Sequence, residues 1–126
     1  MISEKHGIEI PRRTEFVKGL YIGHPYNITI NGECKLGNNI NIHKGATIGQ
    51  ENRGSRKGVP TIGNRVYIGV NSTIVGNINI GDDVLIVSNS FVNKDVPSHS
   101  IVMGNPCIVI SKDNATYNYV NNIIEL

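Results

Sequence analysis

Four histidines are the first candidates for acid–base chemistry in this chain. His24 stands in the stretch Gly23-His24-Pro25-Tyr26-Asn27, whose composition is that of a turn. A histidine there is either a solvated loop residue or a general base, because an imidazole exchanges its proton near neutral pH. His6 and His99 read as surface residues, one ahead of the regular part of the chain and one in Pro97-Ser98-His99-Ser100 after it. His43 follows Ile42 and is expected to point outward, toward a neighbour. A zinc site of the three-histidine type is not expected, since no third histidine accompanies His24 and His43. A second polar stretch, Gln50 to Pro60, carries Arg53, Arg56 and Lys57 and so offers positive charge.

His24 and the basic stretch lie where a regular pattern fails. From Ile62 onward an aliphatic returns every six positions, at Ile62, Ile68, Ile74, Ile80, Ile86 and Val92. The same phase runs backward through Ile48, Ile42, Leu36 and Ile30, then through Ile22, Phe16 and Ile10. A period of six fits neither an amphipathic helix nor a simple alternating strand. It predicts a short strand and a turn, repeated, and a fixed period of this kind decides the architecture. Two gaps exceed six: Ile22 to Ile30, which holds His24, and Ile48 to Ile62, which holds the basic stretch. Both are expected to be loops expelled from the repeat, near 23–28 and 50–60.

The positions around the aliphatic repeat as well. Gly23, Gly37, Gly49, Gly63, Gly69 and Gly81 come one residue later. Three residues later come Asn39, Asn71, Asn77, Asp83, Asn89 and Asp95, with Gly19 and Gly45, the residue types that best accept positive φ. Small or aliphatic side chains follow at the fourth place: Cys34, Ala46, Val66, Ser72, Val84, Ser90. Three such hexads close a triangular coil of 18 residues (3 × 6), and stacked coils make a prism with an aliphatic interior. Repeats of this kind bury a continuous core only from about three units upward. The period is lost from Ser111 to Leu126, where Asp113 or Asn114 would cap a short helix running through Ile124.

Bulk properties narrow the function. The chain's 126 residues suit one domain, residues 1–126, with the coils over 7–110 and a tail over 111–126. Twelve basic and ten acidic residues leave a net charge of +2, too balanced to argue for nucleic acid. Cys34 and Cys107 form no paired motif and read as free thiols of a reducing compartment. The first residues have no apolar segment of a leader, and no apolar run is long enough for a membrane span. A cytoplasmic protein is therefore expected.

The repeat resembles the hexapeptide-repeat acyltransferases over about residues 7–110, and within them the serine acetyltransferase branch. The matching motifs are Gly7-Ile8-Glu9-Ile10, Gly19-Leu20-Tyr21-Ile22-Gly23-His24-Pro25, the long excursion, Pro60-Thr61-Ile62-Gly63-Asn64, and the ending Lys94-Asp95-Val96-Pro97 with Gly104-Asn105-Pro106. The resemblance implies an all-β fold, a left-handed parallel β-helix, where the general rule for parallel crossovers would give a right hand. It implies acetyl-CoA as the donor substrate, no metal, and a homotrimer with sites between subunits. His24 falls on the family's general base, and Glu9 on the carboxylate that orients the imidazole. Backbone groups near Gly69, Val70 and Ser88 would face the pantetheine, and Lys94, Arg56 and Lys57 would meet its phosphates.

Departures from the family pattern bear on the acceptor. An aspartate ordinarily precedes the catalytic histidine, where Gly23 stands here, and Arg-His ordinarily precede the proline at the end of the long loop, where Gly58 and Val59 stand. These groups help bind an amino-acid acceptor, and a zwitterion would need their charge. The short N-terminus and His24-Pro25-Tyr26-Asn27-Ile28 look more like relatives in polysaccharide and capsule biosynthesis. The expected function is thus acetyl-CoA-dependent O-acetylation of a hydroxyl, on a sugar rather than on L-serine. L-serine O-acetyltransferase and a non-catalytic trimeric scaffold are the alternatives, and a γ-type carbonic anhydrase, which shares the prism, lacks its third histidine.

Overall fold

A computed structural model describes residue 7, residues 18–121 and residue 123. The described chain winds through short strands, because each hexad spends half its length on a corner. In order they are β1 (Tyr21–Gly23), β2 (Thr29–Ile30), β3 (Lys35–Leu36), β4 (Ile40–His43), β5 (Thr47–Gly49), β6 (Thr61–Ile62), β7 (Val66–Ile68), β8 (Thr73–Val75), β9 (Asn79–Ile80), β10 (Val84–Ile86), β11 (Phe91–Val92), β12 (Ser100–Gly104) and β13 (Cys107–Ser111).

Three sheets form the three sides of a prism. The first holds β1-β4-β7-β10-β12-β13, the second β11-β8-β5-β2, the third β3-β6-β9. The first three coils each contribute one strand to each side in turn, the fourth gives β10 and β11 with Val96 bridging Ile80 on the third side, and neighbouring coils pair in parallel. The register is that of the sequence phase: Ile68 opposes Ile86, Ile74 opposes Val92 and Ile62 opposes Ile80. The two long gaps leave register intact, since Ile22 still opposes Ile42 and Ile48 still opposes Ile74. The fold is a left-handed parallel β-helix.

The interior is as aliphatic as the period predicts. Ile42, Ile48, Ile68, Ile74, Ile86 and Val92 are wholly buried, and Ile28, Ile40 and Ile78 fill the remaining corners. Each such side chain contributes roughly 1.5–3 kcal/mol by leaving water. Ile10 and Phe16, at the start of the phase, lie outside the described residues. Corners take the left-handed conformation at Asn39, Asn71, Asp83, Asn89, Gly19 and Gly45, six of the anticipated sites. Asn77 and Asp95 do not take it; beside Asn77 the left-handed residue is Gly76 (φ 97°). Along another corner, side-chain oxygens one coil on accept backbone N–H groups: Asn38 from Lys18, Asn64 from Asn38, Asp82 from Asn64 and Ser98 from Asp82.

Past β12 the chain departs from the hexad pattern. β13 turns back antiparallel on β12 and covers that edge of the first sheet. The helix expected from Asp113 or Asn114 does not form among the described residues. Asn114 and Asn118 are both left-handed (φ 54° and 69°), and Asp83 takes the N–H groups of Ala115 and Thr116. Residues 113–119 instead run as successive turns across the outer face of the first sheet, and the expected end at Ile124 lies outside the described residues.

Candidate active site

The three corners of the prism sort the sequence candidates. One corner follows the first sheet and stacks the turns after β1, β4, β7 and β10. A backbone ladder holds it: Gly45 N–H donates to Tyr26 O (2.9 Å), Asn71 to Lys44 O (3.0 Å) and Asn89 to Val70 O (2.8 Å). His24 stands at its foot, exposed, with φ 52° and its carbonyl accepting from Tyr26 N–H at 2.7 Å. Gly69, Val70 and Ser88 lie on the same edge. A Cβ on Gly69 would come 2.6 Å from the Ser88 nitrogen, so the two backbones are in close contact. Coils are spaced about 4.8 Å apart, which places the Ser88 turn about 14 Å along the edge from His24.

Arg56, Lys57 and Lys94 lie on a different edge, after the second sheet, and all three are exposed. Arg56 O accepts from Asn77 N–H (2.8 Å), and its guanidinium lies 3.9 Å from the Asp95 carboxylate, both side chains facing water. Within one chain the structure therefore unites His24 with Gly69, Val70 and Ser88, and leaves the three cations apart. Glu9 lies outside the described residues. In the long loop, Glu51 and Gly58 exchange both backbone hydrogen bonds at 3.0 Å, closing it as a hairpin-like projection. Val59 packs against the core, so this position serves the interior here.

Next to His24 the structure gathers Tyr21 and Tyr67, which the sequence pattern did not single out, around His43, which it did. β1 and β4 pair so that Gly23 faces His43, and Tyr21 faces Asn41. Gly23 leaves room for the His43 ring, since a Cβ there would lie 2.5 Å from His43 Nδ1. Tyr67 packs against His43 at a 40° tilt with centroids 4.5 Å apart, Tyr21 lies edge-on at 6.4 Å, and Tyr119 from the tail meets Tyr67 at 5.2 Å. His43 Nε2 is buried with no hydrogen-bond partner among the described residues. Leaving such a group unpaired costs about 1–3 kcal/mol. Burial, and then the charge of nearby His24, pushes the His43 pKa down, so the imidazole is neutral at neutral pH. The signal for this cluster was present in Tyr21, Asn41, His43 and Tyr67, which flank inward-facing Ile22, Ile42 and Ile68 and so must face outward.

The tail is pinned beside this cluster by Asp83, which is buried. Burial alone would raise its carboxyl, but the Thr116 hydroxyl and N–H, His99 Nδ1 and Ala115 N–H all donate to it. They outweigh the burial and hold its pKa at about 2. His99 is thus half-exposed and engaged, at 2.7 Å from Asp83. Farther along, Asn41 Nδ2 donates to Tyr119 O at 2.9 Å. Cys34 and Cys107 are free and buried, and burial pushes the Cys34 thiol up to about 11. Among the described residues no three His, Cys, Asp or Glu side chains converge, and no helix is long and apolar enough to cross a membrane.

Comparison with known proteins gives a consistent set of similarities. The chain is 36% identical over 107 residues to a serine acetyltransferase of Helicobacter pylori, covering 85% of this chain and 63% of the relative. It is 37% identical over 109 residues to serine acetyltransferase 2 of Arabidopsis thaliana, covering 86% of this chain and 34% of that protein. Among solved structures it is similar to Neisseria gonorrhoeae serine acetyltransferase in complex with serine (TM-score 0.74, 35% identity, 83% of this chain and 43% of that one). It is likewise similar to a Brucella abortus serine acetyltransferase in complex with coenzyme A (TM-score 0.69, 30% identity, 75% and 38%). The chain thus spans 63% or less of the length of these proteins. No family model matches it.

Proposed function

Because this chain belongs to the serine acetyltransferase-like hexapeptide-repeat acyltransferases, we propose that it transfers an acetyl group directly from acetyl-CoA to an acceptor hydroxyl. The observation that carries this reading is the common edge of His24, Gly69, Val70 and Ser88. An extended thiol donor laid along that edge has backbone groups of Gly69 to Ser88 on one side and reaches the imidazole at its foot. His24 takes the proton of the acceptor hydroxyl as its oxygen attacks the thioester carbonyl. The tetrahedral intermediate collapses, the carbon–sulfur bond breaks, and the imidazolium returns the proton to the departing thiolate. No covalent acyl-enzyme is needed. Glu9 is assigned the role of orienting the imidazole.

The acceptor that the relatives favour is L-serine, since their names carry it. A sugar hydroxyl is the second reading. In its favour, Gly23, Gly58 and Val59 supply no charge for a zwitterion, and Val59 is committed to the core. We further propose a homotrimer. Arg56, Lys57 and Lys94 lie on a different edge from His24, so only a neighbouring chain can bring them to the phosphates of a donor bound beside His24.

Purified protein given acetyl-CoA with L-serine, nucleotide sugars or simple glycans should release free thiol with one acceptor class. Absence of thiol release with all of them, together with no affinity for acetyl-CoA, would leave a non-catalytic scaffold.

A further inference from the structure

A groove of about 280 Å³ opens on the outer face of the first sheet, beside the His24 edge. Tyr21, Asn41, His43 and Tyr67 form its floor, and Tyr119 and Asn121 of the tail form one wall. We propose that this groove is the acceptor subsite and that it takes an uncharged, hydroxyl-rich ring of monosaccharide type. This rests on the O-acetyltransferase reading and chooses between its two acceptor classes.

Position is the first argument. Tyr21 precedes Gly23 by two strand residues, about 7 Å, and His24 follows directly. A ring lying on Tyr21 therefore has its rim within reach of the general base. Lining is the second. The described residues around the groove present tyrosine rings, asparagine amides and a neutral imidazole, and no carboxylate or cation. An α-ammonium and an α-carboxylate would both lose water there without a counter-charge, which disfavours a zwitterion. A neutral ring loses less, because its C–H faces pack on aromatic rings and its hydroxyls pair with amides and phenols. Construction is the third. The wall is made by the tail, which Asp83 pins at Ala115 and Thr116 and Asn41 pins at Tyr119. The groove therefore exists only because the tail folds back across the sheet instead of continuing the coil.

Two exposed positions allow a test with little risk to folding. Tyr21 is 44% exposed, and the Asn121 side chain has only an exposed local bond to Asn118 O. Saturation-transfer NMR with a panel of neutral methyl pyranosides should detect binding to the wild-type protein. Tyr21→Ala should lose that signal. In turnover with a sugar acceptor, Tyr21→Ala and Asn121→Ala should each raise the acceptor KM about tenfold. The KM for acetyl-CoA should stay unchanged, a split that general damage would not produce. Absence of pyranoside binding to the wild type overturns the subsite whatever the catalytic result. So does L-serine turnover with the same KM in wild type and both variants, which would leave the O-acetyltransferase reading standing. Pyranoside binding without thiol release would keep the groove and sink that reading instead.

Discussion

Gly23 and His43 face each other across the parallel pair β1–β4, and the space a side chain would fill at Gly23 is taken by the His43 ring, 2.5 Å from the position of a Cβ. Gly23 has an ordinary negative φ, so alanine is tolerated by its backbone and is opposed chiefly by that ring, with Tyr21 Cε1 next at 3.3 Å. Gly23→Ala should then destabilise the protein by about 1–3 kcal/mol through overpacking. Gly23→Ala combined with His43→Ala should recover most of the crowding term. Denaturant unfolding of the four proteins in the cycle measures it, and additive effects of the two substitutions would deny the contact.

His24→Ala removes the proposed base and leaves the corner intact, because the ladder there is backbone to backbone. The expected loss in kcat is about 10²–10⁴-fold, with acetyl-CoA affinity unchanged. Thiol release and equilibrium binding of acetyl-CoA check the two halves separately. Full turnover in this variant would remove His24 from the mechanism.

Asp83 should make the tail acid-sensitive. Its folded pKa of about 2 lies below the ordinary 3.8. The unfolded chain therefore binds the proton first, and the stabilisation is present above about pH 3.8 and lost as pH falls toward 2. At neutral pH it is about 2 kcal/mol. Asp83→Ala should destabilise by about 2–4 kcal/mol by leaving the Thr116 hydroxyl and N–H unpaired. Amide exchange at Ala115 and Thr116 should quicken in that variant well before exchange in the coils does.

His43 predicts a second pH effect, at a different place. Its folded pKa is depressed, first by burial and then by His24. Below the ordinary histidine value of 6.5 the unfolded chain takes up a proton more readily than the folded one, so stability falls as pH drops through that range. His43→Leu should flatten this part of the stability profile. Thermal melts between pH 5 and 7.5, read as a difference between the two proteins, give the answer.

Much of the architecture was legible because it is local. A period of six with Gly, Asn or Asp at set offsets dictates strand, corner and strand regardless of distant residues. Even Arg65 obeys this at an Asn-type corner, with φ 52°. Cys34, Ala46, Val66, Ser72, Val84 and Ser90 are all buried, as a fourth-place position inside the coil requires.

The candidate site was legible only in part. His24 stood out because it sits in a break of the period, and the structure puts it on one edge with Gly69, Val70 and Ser88. The separation of Arg56, Lys57 and Lys94 onto another edge could have been counted from the hexads, three corners to a coil. The tail was misjudged because its helical signal at Asp113 and Asn114 competes with a long-range clasp at Asp83, 32 and 33 positions from the groups it holds.

The sequence alone thus determined the coil, its aliphatic interior and the place where His24 leaves it, because each follows from spacing within a few residues. Tertiary structure decided what surrounds His24. Gly23 meets His43, His43 meets Tyr67, and Tyr67 meets Tyr119, steps of 20, 24 and 52 residues along the chain. Those steps depend on how far each expelled loop advances the register and on the path of the tail, and neither is written in a six-residue period.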